Sequence, residues 1–142
     1  MTGRITPYTV RTNHVQLFRF SAVTWNAHRI HYDTAYARSE GYPEVLVQSH
    51  LHGCFLANAV LAWAGDGATL RTLRWTNRGI AVAGDVLTVT GTVTGSEPDG
   101  AFQLVTVDLE EHNQDGDLCT PGHAVVAVPS GSSVSRGARS DG

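Results

Sequence analysis

The sequence contains no lysine; all ten of its basic residues are arginine. Any anion the protein holds is therefore held by a guanidinium, an imidazole or the backbone. Charge is sparse at 16% of residues and the formal net charge is −3, so no strong field draws the chain to nucleic acid or anionic lipid. No stretch approaches the roughly 20 apolar residues of a membrane span, and residues 1–10 hold no apolar run. Cysteine is limited to Cys54 and Cys119, far apart in the chain, which read as free thiols rather than a bridge. There is no internal repeat. No Cys/His spacing suits zinc, and His50 and His52, two apart on a helix, cannot face one ligand together. These absences predict a soluble cytoplasmic domain with no nucleic-acid partner, no membrane and no metal. A chain of 142 residues is long enough to bury a core, and a sheet this small gains from a partner subunit.

Residues 1–13 are polar and read as an N-terminal extended arm. In residues 14–22, HVQLFRFSA, Val15, Leu17 and Arg19 alternate with Gln16, Phe18 and Phe20, which predicts a strand. Asp33 is placed to cap a short helix over residues 33–40, stopped by Gly41-Tyr42-Pro43. The strongest helix runs over residues 49–64, SHLHGCFLANAVLAWA. Leu51, Cys54, Phe55, Asn58, Leu61 and Ala62 follow helical spacing, and Leu56, Val60 and Trp63 make the other side apolar too. A helix apolar nearly all round is a buried one. Ser49 is its expected N-cap and Gly65 its stop. Strands follow at 69–77, 85–95, 101–112 and 118–128, and the turn signals at 97–100 and 113–116 make the last three an antiparallel meander. The expected class is α+β, an antiparallel sheet wrapped around one long helix, as a single domain over residues 14–129 with a disordered tail over 130–142.

The chemistry-bearing residues concentrate at Thr24-Trp25-Asn26-Ala27-His28-Arg29-Ile30-His31-Tyr32-Asp33. Two readings stand side by side. One is a solvated loop in which Asp33 caps a helix and the imidazoles are incidental. The other is a site where a His does acid–base work, its reference pKa of about 6.5 lying near working pH.

Residues 20–37, FSAVTWNAHRIHYDTAYA, followed by EGYP at 40–43 and the buried helix, resemble the MaoC-like hydratase and dehydratase family. Within it, the resemblance is to the branch of type-2 hydroxyacyl-thioester dehydratases and mesaconyl-CoA-like hydratases. That branch carries S-A-x-T-[FW]-N-x-H-R-I-H-Y-D, then E-G-Y-P and a segment like V-V-H-G-P-L. Ala83-Gly84-Asp85, Asn113-Gln114-Asp115-Gly116 and Gly122-His123-Ala124 fit as well. The resemblance implies a hotdog fold, a dimer joining two sheets, and a tunnel at the subunit interface for a CoA or carrier-protein thioester. It implies syn addition of water to a 2-enoyl thioester, or the reverse. It implies no cofactor, since CoA or phosphopantetheine is part of the substrate.

Carried over residue by residue, His31 is the family histidine ahead of the short helix. Relatives of the D-x-N-P-x-H form place an Asp five residues before that His. Here the loop is two residues longer, Thr24 stands in the place of the Asp, and Asn26 matches the Asn. Thr24 is no base at neutral pH, so the resemblance implies a single-histidine mechanism with Asn26 or Thr24 positioning the water. The thioester oxygen, an enolate in the reaction, is expected at the backbone N–H of Ser49 or His50, where the helix dipole favours negative charge. Relatives have H-G-P where this chain has Gln48-Ser49-His50, and the Ser49 side chain narrows that approach. Cys54 stands where Ser or Thr is common and is expected to line the pocket. Tyr42 joins the substrate-binding set through EGYP. Arg29 either meets a CoA phosphate or pairs with Asp33 or Glu40. His28 and His50 are candidate second histidines, with a surface position as the plainer reading of each. Trp63 and Trp75 read as core.

The expected activity is hydration or dehydration of an enoyl or 3-hydroxyacyl thioester. One alternative is a hotdog acyl-thioesterase, which needs a carboxylate or activated water beside the carbonyl; residues 49–64 contain no Asp or Glu. The other is a partner subunit of a hetero-oligomeric dehydratase, which a chain retaining His31 and Asn26 would enter as the catalytic half. A homodimer is expected, with a heterodimer of two hotdog chains as the alternative.

Overall fold

The computed structural model describes residues 3–131; beyond Gly131 the expected tail lies outside the described residues. The chain runs β1 (Gly3–Arg4), β2 (Tyr8–Arg11), α1 (His14–Thr24), a 3-10 turn (Arg29–His31), α2 (Thr34–Ser39), α3 (Ser49–Ala64), β3 (Thr69–Trp75), β4 (Val86–Asp99), β5 (Phe102–His112) and β6 (Leu118–Pro129). The strands form one antiparallel sheet in the order β1-β4-β5-β6-β3, with β2 also paired to β4. Period-two patterning decides its two faces. Leu87, Val89 and Val93 of β4, Val105, Val107 and Leu109 of β5, and Ala124, Val126 and Val128 of β6 are buried. Their alternates, such as Thr92, Asp108 and Glu110, are exposed.

Helix α3 lies against this apolar face. Leu51, Phe55, Leu56, Ala59, Val60 and Trp63 are buried, and each large side chain so buried contributes about 1.5–3 kcal/mol. His50, Cys54, Asn58 and Ala62, spaced by four, form an exposed stripe. The helix is thus covered on all sides but one. The strands begin and end within a few residues of expectation, and the last three form the expected meander. The first of its turns is displaced, because β4 continues to Asp99.

Three expectations are corrected. Residues 14–22 are helical, not a strand. The Asn13 side chain caps the first turn, accepting from the Gln16 N–H at 2.9 Å. Val15 and Leu17, which would share a face of a strand, separate: Val15 is 60% exposed and Leu17 is buried. Leu17 instead pairs with Ser21, one helical turn on. Residues 1–13, expected as an arm ahead of the domain, are extended but belong to the sheet through β1 and β2, so its pairing begins at Gly3. The N-cap of α3 is Gln48 rather than Ser49, and it makes no side-chain cap. Its carboxamide is buried, with Nε2 donating to Leu17 O at 2.7 Å and Ser21 Oγ at 2.9 Å. Both cysteines are free, Cys54 exposed and Cys119 buried. No helix among the described residues is long and apolar enough to cross a membrane.

Candidate active site

The polar cluster rides on an overhang, residues 13–47, that carries α1 and α2 ahead of α3. Backbone bonds fix it to the body. Leu46 donates to Ile30 O at 3.0 Å, Val47 to Ala81 O at 2.9 Å, and Ala83 to Val45 O at 3.0 Å. Glu44 gathers the overhang's loose ends. Its Oε1 accepts from Thr34 Oγ1 at 2.6 Å and from the Val45 N–H at 2.9 Å, with His14 Nε2 3.1 Å away. These donors, Thr34 first, hold the Glu44 carboxyl down at about 2. Asp33 caps α2 as expected, accepting from the Tyr36 N–H. Of the two roles considered for Arg29, the structure shows pairing. Its guanidinium donates to Asp33 Oδ2 at 2.8 and 3.1 Å and lies 4.8 Å over the Tyr36 ring. Tyr42 is half-buried and packs against the core.

His31 is half-buried at the end of the 3-10 turn, its Nδ1 2.8 Å from Leu46 O. A carbonyl oxygen only accepts, so Nδ1 carries the proton and Nε2 keeps the lone pair. Burial lowers the His31 pKa below its ordinary 6.5; the Leu46 carbonyl opposes that shift and His28 adds to it. The result is a neutral imidazole of fixed tautomer at neutral pH, the state a general base needs. His28, with its ring centroid 6.0 Å from that of His31, is committed to the turn: its Nδ1 accepts from the Ile30 N–H at 3.1 Å.

At the start of α3 the Leu51 and His52 N–H groups both donate to Gln48 O at 3.1 Å. The Ser49 and His50 N–H groups precede them in the first turn and have no backbone acceptor among the described residues. His50 also lines a trough of about 610 Å³. Phe20, Thr24, Trp25 and Asn26 form one bank, His50, Gly53, Cys54 and Ala57 of α3 the floor, and Leu73 and Trp75 of β3 the other bank. The αL backbone of Trp25, with φ 58°, ends α1 and leaves its side chain 88% exposed on the rim.

Thr24, Asn26, His50 and Cys54 are therefore brought together within the one chain. Ser49 borders them through its Oγ, which accepts from Trp75 Nε1 at 3.3 Å. His31, Arg29 and Tyr42 do not line this trough. Thr24 Oγ1 is occupied, donating to Phe20 O at 2.6 Å. Asn26 Oδ1 makes only a long 3.4 Å contact with the His28 N–H. A shallower depression of about 430 Å³ on α1 is lined by Val15, Phe20 and Val23 and holds none of the expected site residues.

One pair was missed. His52 Nδ1 and Glu111 Oε1 share a short hydrogen bond, with both side chains almost wholly buried and Glu111 Oε2 unpartnered. The signal was in β5, where Val105, Val107 and Leu109 point inward at every second residue and Glu111 continues the series. On α3, His52 shares the buried face with Leu56, Ala59 and Trp63. Among the described residues no three His, Cys, Asp or Glu side chains group as a metal site.

Comparison with known proteins bears on the fold and the family. The Mesaconyl-C(4)-CoA hydratase of Chloroflexus aurantiacus is 64% identical over 36 residues; the match covers 25% of this chain and only 13% of that protein's length. The R-hydratase PhaJ1 of Pseudomonas aeruginosa superposes with a TM-score of 0.82 at 23% identity, covering 91% of this chain and 81% of that one. The ChsH1–ChsH2 complex of Mycobacterium tuberculosis gives 0.79 at 19% identity, covering 89% and 96%. At these identities the structural likeness is one of fold, and the fold is the hotdog. Residues 4–82, more than half of the sequence and all of the overhang, match the family profile of hydroxyacyl-thioester dehydratase type 2. The chain belongs to the hydroxyacyl-thioester dehydratase type 2 family.

Proposed function

We propose that this protein adds water across, or removes it to form, the C2–C3 double bond of an enoyl thioester of CoA or a carrier protein. The observation that carries this is His31, a neutral imidazole whose Nδ1–H is fixed on Leu46 O so that Nε2 is the free base. In hydration Nε2 takes a proton from water as the water oxygen bonds to C3. The C2–C3 electron pair moves towards the thioester oxygen as an enolate, and the imidazolium then returns the proton to C2 on the same face. The free N–H of Ser49, with that of His50 beside it, holds the enolate oxygen at the positive end of α3. Asn26 holds the water. The phosphopantetheine arm enters as part of the substrate.

Because His31 does not line the trough of its own protomer, a second hotdog chain completes the site in this reading. The surfaces for one are present: Val15, Phe18, Val23 and Trp25 are 59–88% exposed, the α3 stripe is uncovered, and β3 pairs on one side only. A homodimer uses them with one gene product. A heterodimer is the second reading, favoured by the likeness to the ChsH1–ChsH2 complex, which holds two different chains. The thioesterase reading lacks its carboxylate. No Asp or Glu lines the trough, and Glu111 is engaged by His52.

The test is loss of the enoyl-thioester absorbance on adding crotonyl-CoA. His31→Ala should lower turnover by about 100-fold or more with an unchanged circular dichroism spectrum. Retention of more than about a tenth of the wild-type rate rejects His31 as the base. Purified wild-type chain that is fully active as a monomer rejects the shared site.

A further inference from the structure

The β3 bank of the trough is made by Leu73 and Trp75. We propose that Trp75 limits the acyl length this protein accepts by walling one side of the trough; this rests on reading the trough as the thioester site.

Trp75 is the last residue of β3, an edge strand, and across the ladder it faces Gly122, which has no side chain to orient it. Its position is set by α3 instead. The indole lies against Gly53 so closely that a Cβ there would come within 2.7 Å of two ring carbons. Its Nε1–H donates to Ser49 Oγ at 3.3 Å, and the His50 ring meets it edge to face at 5.8 Å. Three contacts from the first turns of α3 therefore hold the ring beside Ser49, the residue whose N–H is proposed to receive the thioester oxygen. An acyl chain extending past C3 on that side meets the indole within a few atoms. Gly53 matters here because only a residue without a Cβ lets the ring lie flat on the helix.

This arrangement makes two substitutions act in opposite senses. Trp75→Leu removes most of the wall and lengthens the trough. Gly53→Ala places a methyl group where the indole rests, so the ring must move off α3 into the trough and shorten it. The measurement is the ratio of kcat/KM for 2-octenoyl-CoA to that for crotonyl-CoA. Trp75→Leu should raise it at least about tenfold and Gly53→Ala should lower it about tenfold, since one or two methylenes in an apolar pocket are worth that much. Trp75→Phe, which keeps a ring on Gly53 but loses the N–H, should raise it less and serves if the Leu variant fails to fold. A structural role alone would lower both rates and leave the ratio unmoved.

Calorimetric dissociation constants for butanoyl-CoA and octanoyl-CoA give the same comparison without turnover. If the wild type hydrates neither enoyl thioester, the hydratase reading fails while the binding ratio still tests the wall. Ratios within about twofold of wild type in every variant, or moving the same way for Trp75→Leu and Gly53→Ala, overturn the proposal.

Discussion

The sheet with α3 and the overhang of residues 13–47 are held by different means. In the body, alternating Val and Leu side chains of β4, β5 and β6 close on one helix, and burial does the holding. The overhang has few buried side chains, chiefly Leu17, Ser21, Ala37, Val45 and Val47. Gln48 ties it to α3 through Leu17 and Ser21, backbone bonds from Val47 to Ala81 and from Ala83 to Val45 tie it to the body, and Glu44 with Thr34 and Val45, and His31 with Leu46, brace it from within. His31, the proposed base, sits on the region braced by links. Its position depends on a handful of hydrogen bonds, while the donors proposed for the oxyanion belong to the buried helix α3. Function placed on a segment supported by a stable scaffold is the common arrangement, and it means that stability and activity should separate by region.

The largest effect is expected in the body. His52→Leu strands Glu111 without a partner among apolar side chains and should cost about 3–5 kcal/mol in urea denaturation, whereas the double change His52→Leu, Glu111→Leu should recover most of it. A loss below about 1 kcal/mol in the single variant would show that the pair does not anchor α3 to β5. On the overhang the balance reverses. If Asn26 holds the attacking water as proposed, Asn26→Ala should lower turnover roughly 10- to 100-fold with the denaturation midpoint unmoved. An unchanged rate would leave Asn26 only as the acceptor of the His28 N–H.

The smallest effect sharpens the comparison through pH. Glu44 is held at about 2, below its ordinary 4.5. Its contribution is therefore fully present above pH 4.5 and is lost as pH falls towards 2. Glu44→Gln should be slightly less stable than wild type at neutral pH, and the gap should close across that window. A gap that stays constant would remove Glu44 from the pins of the overhang.

How much of this was readable from the sequence differs between the same two regions. The bounds of α3 were legible because an apolar run of that length ending at Gly65 has one good solution. The sheet strands were legible from alternation and from turns rich in Asn, Asp and Gly. Residues 14–22 were not, because over nine residues both periods fit. The deciding signal was Asn13 followed by Gln16, a capping pattern just ahead of the run. The short strands β1 and β2 have no apolar series of their own and are defined by the edge of β4 that receives them. The polar cluster could be seen, and the overhang matches the family, yet the division of the expected site into a trough set and a separate His31 depends on three-dimensional packing. Glu111 was legible in principle, since continuing the alternation of β5 by one step points it inward.

The most direct test of His31 as the base is the pH dependence of kcat/KM for crotonyl-CoA hydration. Burial keeps the imidazole neutral to lower pH than a free one, so the rate should be flat through neutrality and fall only below the ordinary 6.5. The residual activity of His31→Ala should show no such limb. An acid limb centred at or above 6.5, or the same limb surviving in His31→Ala, would contradict the assignment.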